Sequence, residues 1–184
     1  KPWRTPQFLQ DRPLTGREKG SATHLFMQFV RYESCTTREG IRQELVRMQA
    51  EKFLTPRQAE AVDAEKILAL FSSELGNRIL HADSLRREFK FSILADAAAY
   101  DPAAVGEQVM LQGVVDCFWQ EPDGIVILDF KTDYIHGDLQ QKAARYAPQL
   151  RAYAQALSRI YQCPVKKTVL YFFSAGCEVE IDPE

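Results

Sequence analysis

The chain has 184 residues, of which 46% are hydrophobic and 26% charged, and its formal net charge is −2. These values are ordinary for a soluble globular protein and do not indicate a strongly basic nucleic-acid-binding domain. The sequence has no apolar run long enough to span a membrane and no signal-peptide pattern. Its four cysteines are scattered without a CxxC pair, which favours free thiols in a reducing cytosol and predicts neither a zinc site nor an iron–sulfur cluster.

The first half of the sequence, residues 14–82, predicts helices. Thr15 and Glu18 form a capping-box pattern that opens a helix running to about Glu33. Further helices are expected to begin after Thr37, at Thr55-Pro56 with continuation to Phe71, and near Ser73. We interpret this block as structural helices that pack against the rest of the domain.

The second half, residues 83–184, mixes strands and helices and predicts an α/β core. Its elements are expected in this order: an amphipathic strand at 86–93, a loop at 95–107, a hairpin at 113–132, a long helix at 139–161, and two last strands at 166–173 and 178–181. Pro148 lies inside the helical pattern, so we expect a kink or a break near Ala147.

Two acidic residues and a lysine interrupt the most hydrophobic part of the sequence. Asp116 lies in the first strand of the hairpin, and Asp129 and Lys131 lie in the second. Charged side chains are rarely buried in such strands unless they are paired or bind a metal. The three residues are therefore candidates for a functional site.

The turn between these strands allows more than one register. With Pro122-Asp123 at its centre, Asp116 faces Asp129, and with Asp123-Gly124 at its centre, Asp116 faces Lys131. Because side chains alternate with a period of two, both registers place the three charged side chains on one face, whereas a three-residue loop would separate them. Opposed carboxylates repel, so the arrangement requires a cation, which is either Lys131 or a divalent metal such as Mg²⁺.

The motifs on this hairpin resemble those of a known family. Asp116 followed by Asp129-Phe130-Lys131 resembles the catalytic signature of the PD-(D/E)XK nucleases. Gly113-Val114-Val115-Asp116, Thr132 and Gln149-Leu150-Arg151-Ala152-Tyr153 are similar to its RecB-type branch, in the AddA-type form found as the C-terminal nuclease domain of bacterial helicase-nucleases. The resemblance covers about Leu14 to about Phe173. It implies a restriction-endonuclease-like mixed sheet flanked by helices, in a single domain (1–184) excised from a longer chain.

The resemblance also implies roles for particular residues. Asp116, Asp129 and Lys131 would be catalytic, and the metal would be bound by Asp116, Asp129, the backbone carbonyl of Phe130 and His24. The expected ion is Mg²⁺, with Mn²⁺ able to substitute. Without the resemblance, His24 would be interpreted as an ordinary surface or core histidine.

Three further residues are candidates for a contact with the site or with DNA: Glu88, Gln149 and Tyr153. Glu88 lies in the first predicted strand, immediately before its apolar-alternating part, where the family has a glutamate near its metal, although a solvated strand face is the simpler explanation. Gln149 and Tyr153 lie four residues apart on one helix face, which is otherwise an ordinary helix surface. His81 and His136 receive no role.

The implied function is metal-dependent hydrolysis of single-stranded DNA, as an exonuclease or endonuclease, during the processing of double-strand break ends for recombinational repair. The chain contains no GxxxxGK[ST] loop, so ATP would act only through helicase domains of the same polypeptide. A second, AddB-like subunit is the expected partner, and the bacterial cytoplasm, near the nucleoid, is the expected location. Two alternatives are a catalytically inactive nuclease fold that binds DNA or supports a complex, and a sequence-specific endonuclease of restriction type.

Overall fold

A computed structural model describes residues 14–183, and the rest of the predicted 1–184 domain lies outside them. The chain divides into two compact units, Lys1–Glu65 and Lys66–Glu184. The sequence predicts a division at residues 82 and 83 instead. The difference arises because the helical segment before residue 82 packs with the sheet: the Arg78 guanidinium donates to Glu121 and lies 5.6 Å from the centroid of the Trp119 ring.

The first unit is helical in its described residues, 14–65. Its helices are α1 (Gly16–Phe29), α2 (Arg38–Ala50) and α3 (Pro56–Ala61), and a 3₁₀ turn at Tyr32–Thr36 joins the first two. The capping box is confirmed, since the Glu18 N–H donates to the Thr15 hydroxyl and the Thr15 N–H donates to the Glu18 carboxylate. Helix starts were thus predictable from local sequence.

The end of α1 differs from the prediction. The helix stops at Phe29 rather than near Glu33, because side chains from α2 satisfy its last backbone groups. Arg47 donates from Nη2 to the Phe29 carbonyl at 3.0 Å, and Glu44 accepts the Arg31 N–H at 2.8 Å. Partners this distant in sequence leave no local stop signal in the helix itself.

The predicted helix from Thr55 to Phe71 is also divided. It forms α3 and a separate helix, α4 (Ala64–Phe71), because Val62 adopts extended backbone angles. The Asp63 carboxylate accepts the Glu65 N–H at 3.1 Å and so begins the second helix. The next helix, α5 (Glu74–Leu80), follows the Ser73 N-cap as predicted.

The second unit contains a five-stranded mixed sheet in the order β1-β2-β3-β4-β5. The strands are β1 (Arg86–Asp96), β2 (Gln108–Glu121), β3 (Gly124–Lys131), β4 (Val165–Phe172) and β5 (Cys177–Ile181). All neighbours are antiparallel except β3 and β4, which are parallel. The α/β mixed sheet flanked by helices is confirmed.

Two helices connect the parallel strands β3 and β4. They are α6 (Leu139–Ala144) and α7 (Ala147–Tyr161), and Pro148 occupies the first turn of α7. The break expected near Ala147 is therefore confirmed, and proline costs little at this position because the first turn has no N–H partner to lose. Within residues 14–183 no helix is long and apolar enough to cross a membrane.

The hydrophobic core of the second unit lies between α7 and the sheet. Buried side chains of β3 and β4 form its centre, and the apolar side of α7 covers them. This cluster includes Ile125, Ile127, Leu150, Leu157, Leu170 and Phe172. Because strand side chains alternate, Asp129 and Lys131 lie on the same face of β3 as Ile125 and Ile127. The core face thus becomes polar at the carboxyl end of β3.

Candidate active site

The hairpin of β2 and β3 brings the two predicted aspartates together. Its backbone pairs run from Glu121–Gly124 to Cys117–Leu128, which leaves Pro122-Asp123 at the centre of the turn. This is the register in which the next position pairs Asp116 with Asp129. Beyond Cys117 the ladder ends, and the Phe130 N–H donates to the Asp116 carboxylate at 2.8 Å instead of to a backbone carbonyl.

A third carboxylate, Glu88, lies at the same level on β1. The pairs Arg87–Cys117 and Phe89–Val115 flank it, so Glu88 is positioned opposite Asp116. Its φ is +50°, in the left-handed region that non-glycine residues seldom adopt. Three adjacent strands thus each contribute one acidic residue at this level of the sheet.

The irregular backbone at Glu88 has a packing consequence. Phe89 and Phe118 both contact the Tyr161 ring of α7, with centroid distances of 5.9 and 5.4 Å. Phe118 pairs with Arg86, so these two side chains belong to one face of the sheet. Phe89 comes three residues after Arg86, and in a regular strand it would therefore lie on the opposite face. The strained residue therefore allows aromatic packing on both sides of the acidic level, and such strain is often found at functional sites.

Lys131 is held by partners on three sides. Its Nζ lies 2.5 Å from Asp129 Oδ2, donates to Gln149 Oε1 at 3.1 Å, and lies 4.1 Å from the centroid of the Tyr146 ring. The Lys131 side chain is 12% exposed and that of Asp129 is 4% exposed. The ammonium is thus fixed beside one carboxylate, at the edge of a largely buried site.

The start of α7 supports this arrangement. Gln149 donates from Nε2 to the Tyr153 hydroxyl at 2.6 Å, so Tyr153 orients the amide that meets Lys131. Tyr146 donates its hydroxyl to the Asp133 carboxylate, which fixes the ring over the ammonium. Gln149 and Tyr153 were candidates from the sequence, whereas Tyr146 and Asp133 were missed. The spacing of Tyr146 and Gln149, three residues apart on a helix, was the available signal.

Gly113 allows a close approach of aromatic rings behind the acidic level. A Cβ at this position would lie 2.8 Å from Phe91 Cε1 and 2.9 Å from Tyr153 Cε1. The two rings meet edge to face, with centroids 5.7 Å apart. The glycine of the GVVD motif therefore has a steric role: it leaves space for the tyrosine that orients Gln149.

The electrostatics of the site are dominated by negative charge. Burial, together with the charge of Asp129, raises the pKa of Asp116 to about 7, although the Phe130 N–H and Lys131 oppose the shift. Burial also raises the pKa of Glu88. Asp116 is thus close to the carboxylates of Asp129 and Glu88, with the Lys131 ammonium beside Asp129, and the repulsion among these negative charges favours binding of a further cation.

Comparison with known proteins identifies the family. The PD-(D/E)XK nuclease superfamily matches the chain over residues 4–182. The chain belongs to this nuclease superfamily. Its relatives include the ATP-dependent helicase/nuclease protein AddA of Bacillus cereus strain Q1, 41% identical over 188 aligned positions, and that of Clostridium novyi strain NT, 39% identical over 183. Each alignment covers 96% of this chain and 15% of the relative.

Members of the PD-(D/E)XK superfamily generally use divalent metal ions. Among residues 14–183 no three His, Cys, Asp or Glu side chains gather closely enough to bind a metal on their own. However, Mg²⁺ commonly takes only one or two carboxylates and completes its octahedron with water and phosphate oxygens. Asp116 and Asp129 could supply such a pair of hard oxygen ligands, and a divalent ion bound between them would relieve the repulsion that raises the pKa of Asp116.

The other two predicted ligands of the PD-(D/E)XK site are the Phe130 carbonyl and His24. The Phe130 N–H is directed at Asp116, and since the N–H and C=O of a strand residue face the same edge, its carbonyl faces the β2 side as well. His24 lies on α1 of the first unit, where it is partly buried. Its role as a ligand stays a prediction.

Proposed function

We propose that the chain is the nuclease domain of a helicase-nuclease and hydrolyses phosphodiester bonds of single-stranded DNA at Asp116, Asp129 and Lys131. The observation that carries the proposal is the opposition of two carboxylates at the end of one hairpin, with Lys131 beside them. Membership of the PD-(D/E)XK superfamily and similarity to helicase/nuclease proteins support the reaction class.

Asp116 and Asp129 would bind the divalent ion, for which we propose Mg²⁺, with the Phe130 carbonyl and His24 as further ligands. A bound divalent ion polarises a phosphate and acidifies its coordinated water. The carboxylates fit this role because they are rigid: Asp116 accepts the Phe130 N–H, and Asp129 is fixed by Lys131. A rigid pair loses little conformational entropy when it binds an ion.

Lys131 would act on the phosphate. The Lys131 ammonium has three N–H donors, contacts Asp129 and Gln149, and lies over the Tyr146 ring. On substrate binding one N–H would turn to a phosphate oxygen or to the attacking water. In hydrolysis the water oxygen bonds to phosphorus while the bond to the leaving sugar oxygen breaks, and negative charge accumulates on the phosphate oxygens. A fixed positive charge stabilises that state more than the ground state.

We also propose a wider setting for the reaction, with the similarity to helicase/nuclease proteins as its support. The chain spans 15% of the length of the helicase/nuclease proteins that it matches, so ATP-driven unwinding would be supplied by other domains of a longer polypeptide. The proposed partner is a second, AddB-like subunit. The proposed process is recombinational repair of double-strand breaks, in the bacterial cytoplasm near the nucleoid.

The experiment is cleavage of end-labelled single-stranded DNA by the 184-residue chain with Mg²⁺ or Mn²⁺, with and without EDTA. We expect metal-dependent shortening with little base preference, abolished by Asp116→Ala and by Lys131→Ala. DNA binding without cleavage under either metal would instead favour an inactive module that binds DNA, and discrete fragments from a plasmid would favour a sequence-specific endonuclease.

A further inference from the structure

Tyr134 is an exposed aromatic residue close to the candidate active site. It follows Lys131 by three positions, which limits the separation of their Cα atoms to about 10 Å. Among the large apolar and aromatic side chains that are exposed within residues 14–183, only Tyr134 (63% exposed) and Tyr100 (52% exposed) are aromatic. A solvent-exposed ring beside a candidate nuclease site calls for an explanation in terms of binding.

The segment that carries Tyr134 is anchored on two neighbouring peptide groups. Ser174 donates from Oγ to the Asp133 carbonyl at 2.6 Å, and Lys142 donates from Nζ to the Tyr134 carbonyl at 2.8 Å. The backbone is thus held in place while the ring itself is presented to solvent. Because this backbone is already ordered, it loses little further conformational entropy when a ligand binds, and this favours binding.

Two lysines lie near Tyr134, and one of them, Lys142, also lies 3.9 Å from the Asp133 carboxylate. Lys66 Nζ lies 5.8 Å from the centroid of the Tyr134 ring, and Lys142 contacts the Tyr134 backbone. Tyr100 gives a different case, because its hydroxyl donates to Gln155 and so ties the side chain to α7. Tyr134 combines an exposed aromatic face with the Lys66 ammonium near that face, and this combination is the feature that points to a ligand.

We propose that Tyr134 is a stacking platform for an unpaired base of the DNA strand that enters the Asp116–Asp129–Lys131 site, with Lys66 and Lys142 beside the adjoining phosphates. The proposal rests on the proposed function and names how its substrate is held. Aromatic rings that alternate with basic side chains are the common means of binding single strands without base preference. A duplex offers no free base face, so the platform selects single-stranded substrate close to the point of cleavage.

The test measures binding of short single-stranded oligonucleotides to the 184-residue chain in EDTA, with 2-aminopurine placed at successive positions. The probe at one position should be quenched on binding, and Tyr134→Ala should remove that quenching and weaken affinity by about 5- to 150-fold, the range expected for one stacked base. Tyr134→Phe and Tyr134→Trp, which keep an aromatic ring, should retain both signals.

An abasic substitution gives the sharper version of the same test. An oligonucleotide that lacks the base at the quenched position should bind to the wild type and to Tyr134→Ala with equal affinity, because the contact is already absent. Tyr100→Ala is the matched control for loss of an exposed tyrosine, and it should bind every oligonucleotide as the wild type does. Far-ultraviolet circular dichroism of each variant verifies its fold.

Three results would overturn the inference, and they differ in what else they affect. If the wild type binds and cleaves single strands while Tyr134→Ala does so equally well, the platform is wrong and the proposed function stands. If the wild type neither binds nor cleaves single strands, both are wrong. A loss of affinity in Tyr134→Ala that persists on every abasic oligonucleotide would also overturn stacking, since it would not depend on a base.

Discussion

The two ends of the β2–β3 hairpin both carry acidic residues, yet their electrostatics are opposite. At the turn, Glu121 accepts from the Arg78 guanidinium, from the Lys166 ammonium and from the Trp119 ring N–H. These bonds lower the pKa of Glu121 to about 2. At the open end, Asp116 and Asp129 lie beside Lys131, and the pKa of Asp116 nevertheless rises to about 7.

We interpret the cluster at the turn as structural and the cluster at the open end as the ligand site proposed above. Around Glu121 and Asp123 the positive charges of Arg78 and Lys166 match the negative ones, so the carboxylates stabilise the hairpin. Around Asp116, burial and the charge of Asp129 outweigh the opposing Phe130 N–H and Lys131, so the ionised Asp116 carboxylate lowers the free energy of unfolding. Such unfavourable charge persists in natural proteins mainly where function requires it.

The largest expected effect is on cleavage by Asp129→Asn. The substitution keeps the shape of the side chain but removes the charge that would bind a divalent ion and fix Lys131. We expect the cleavage rate to fall by on the order of 10³-fold or more, with most of the DNA affinity retained. Single-turnover cleavage of labelled single-stranded DNA measures this, and a variant that cleaves within a few-fold of the wild-type rate would contradict it.

The two lysines of the hairpin region should behave differently. Lys131→Met removes the charge beside Asp129, and we expect a loss of cleavage of about 10²-fold or more. Lys166→Met removes the charge beside Glu121 and Asp123, so it should lower the free energy of unfolding and leave the cleavage rate within a few-fold. Equal cleavage rates for the two variants would mean that Lys131 has no specific role in cleavage.

Stability should respond to pH in opposite directions at the two ends. The pKa of Asp116 is raised, so the native state binds more protons between about pH 4 and 7 and the carboxylate costs stability above that window. Asp116→Asn should therefore raise the free energy of unfolding at pH 8 by about 1–3 kcal/mol, with the gain shrinking as pH falls to about 4.

Glu121 should show the reverse sign. Its lowered pKa contributes stability that is present above about pH 4.5 and is lost as pH falls towards 2. Glu121→Gln should lower the free energy of unfolding by about 1 kcal/mol at about pH 7, a modest value because its ion pairs are partly exposed. Urea unfolding across pH measures both variants, and parallel curves for the two would refute the assignment.

The smallest effect is expected at Tyr146. Its ring lies over the Lys131 ammonium, and a cation–π contact contributes about 0.5–2 kcal/mol. Tyr146→Leu should lower the cleavage rate by roughly 2- to 30-fold. Tyr146→Phe keeps the ring and loses only the bond to Asp133, so most of the activity should return. If Phe and Leu are equally impaired, the hydroxyl and not the ring is the important group.

Much of the fold and part of the site could be predicted from the sequence because the signals are local. The proline-containing turn favoured two hairpin registers. Because strand side chains alternate with a period of two, both registers place Asp116, Asp129 and Lys131 on the same face. Pro148 likewise placed the break between α6 and α7. Each inference needed only residues adjacent in sequence.

The features that escaped prediction depend on contacts between distant residues. The end of α1 is set by Arg47 and Glu44, which belong to another helix. The left-handed conformation of Glu88 accompanies the packing of Phe89 and Phe118 against Tyr161 of α7, a residue distant from Glu88 in sequence. Tyr146 lies over Lys131 only after the β3–β4 connection has brought α7 onto the sheet.

The contrast between the two ends of the hairpin amounts to one claim: the open end is a cation site and the turn end is not. Isothermal titration calorimetry with Mg²⁺ at about pH 7, in buffers of different ionisation enthalpy, tests it directly. We expect Mg²⁺ binding with proton release for the wild type and for Glu121→Gln, because the ion displaces the proton that a carboxylate with a pKa of about 7 partly retains. Asp116→Asn should lose both signals. Unchanged binding and proton release in Asp116→Asn would contradict the claim.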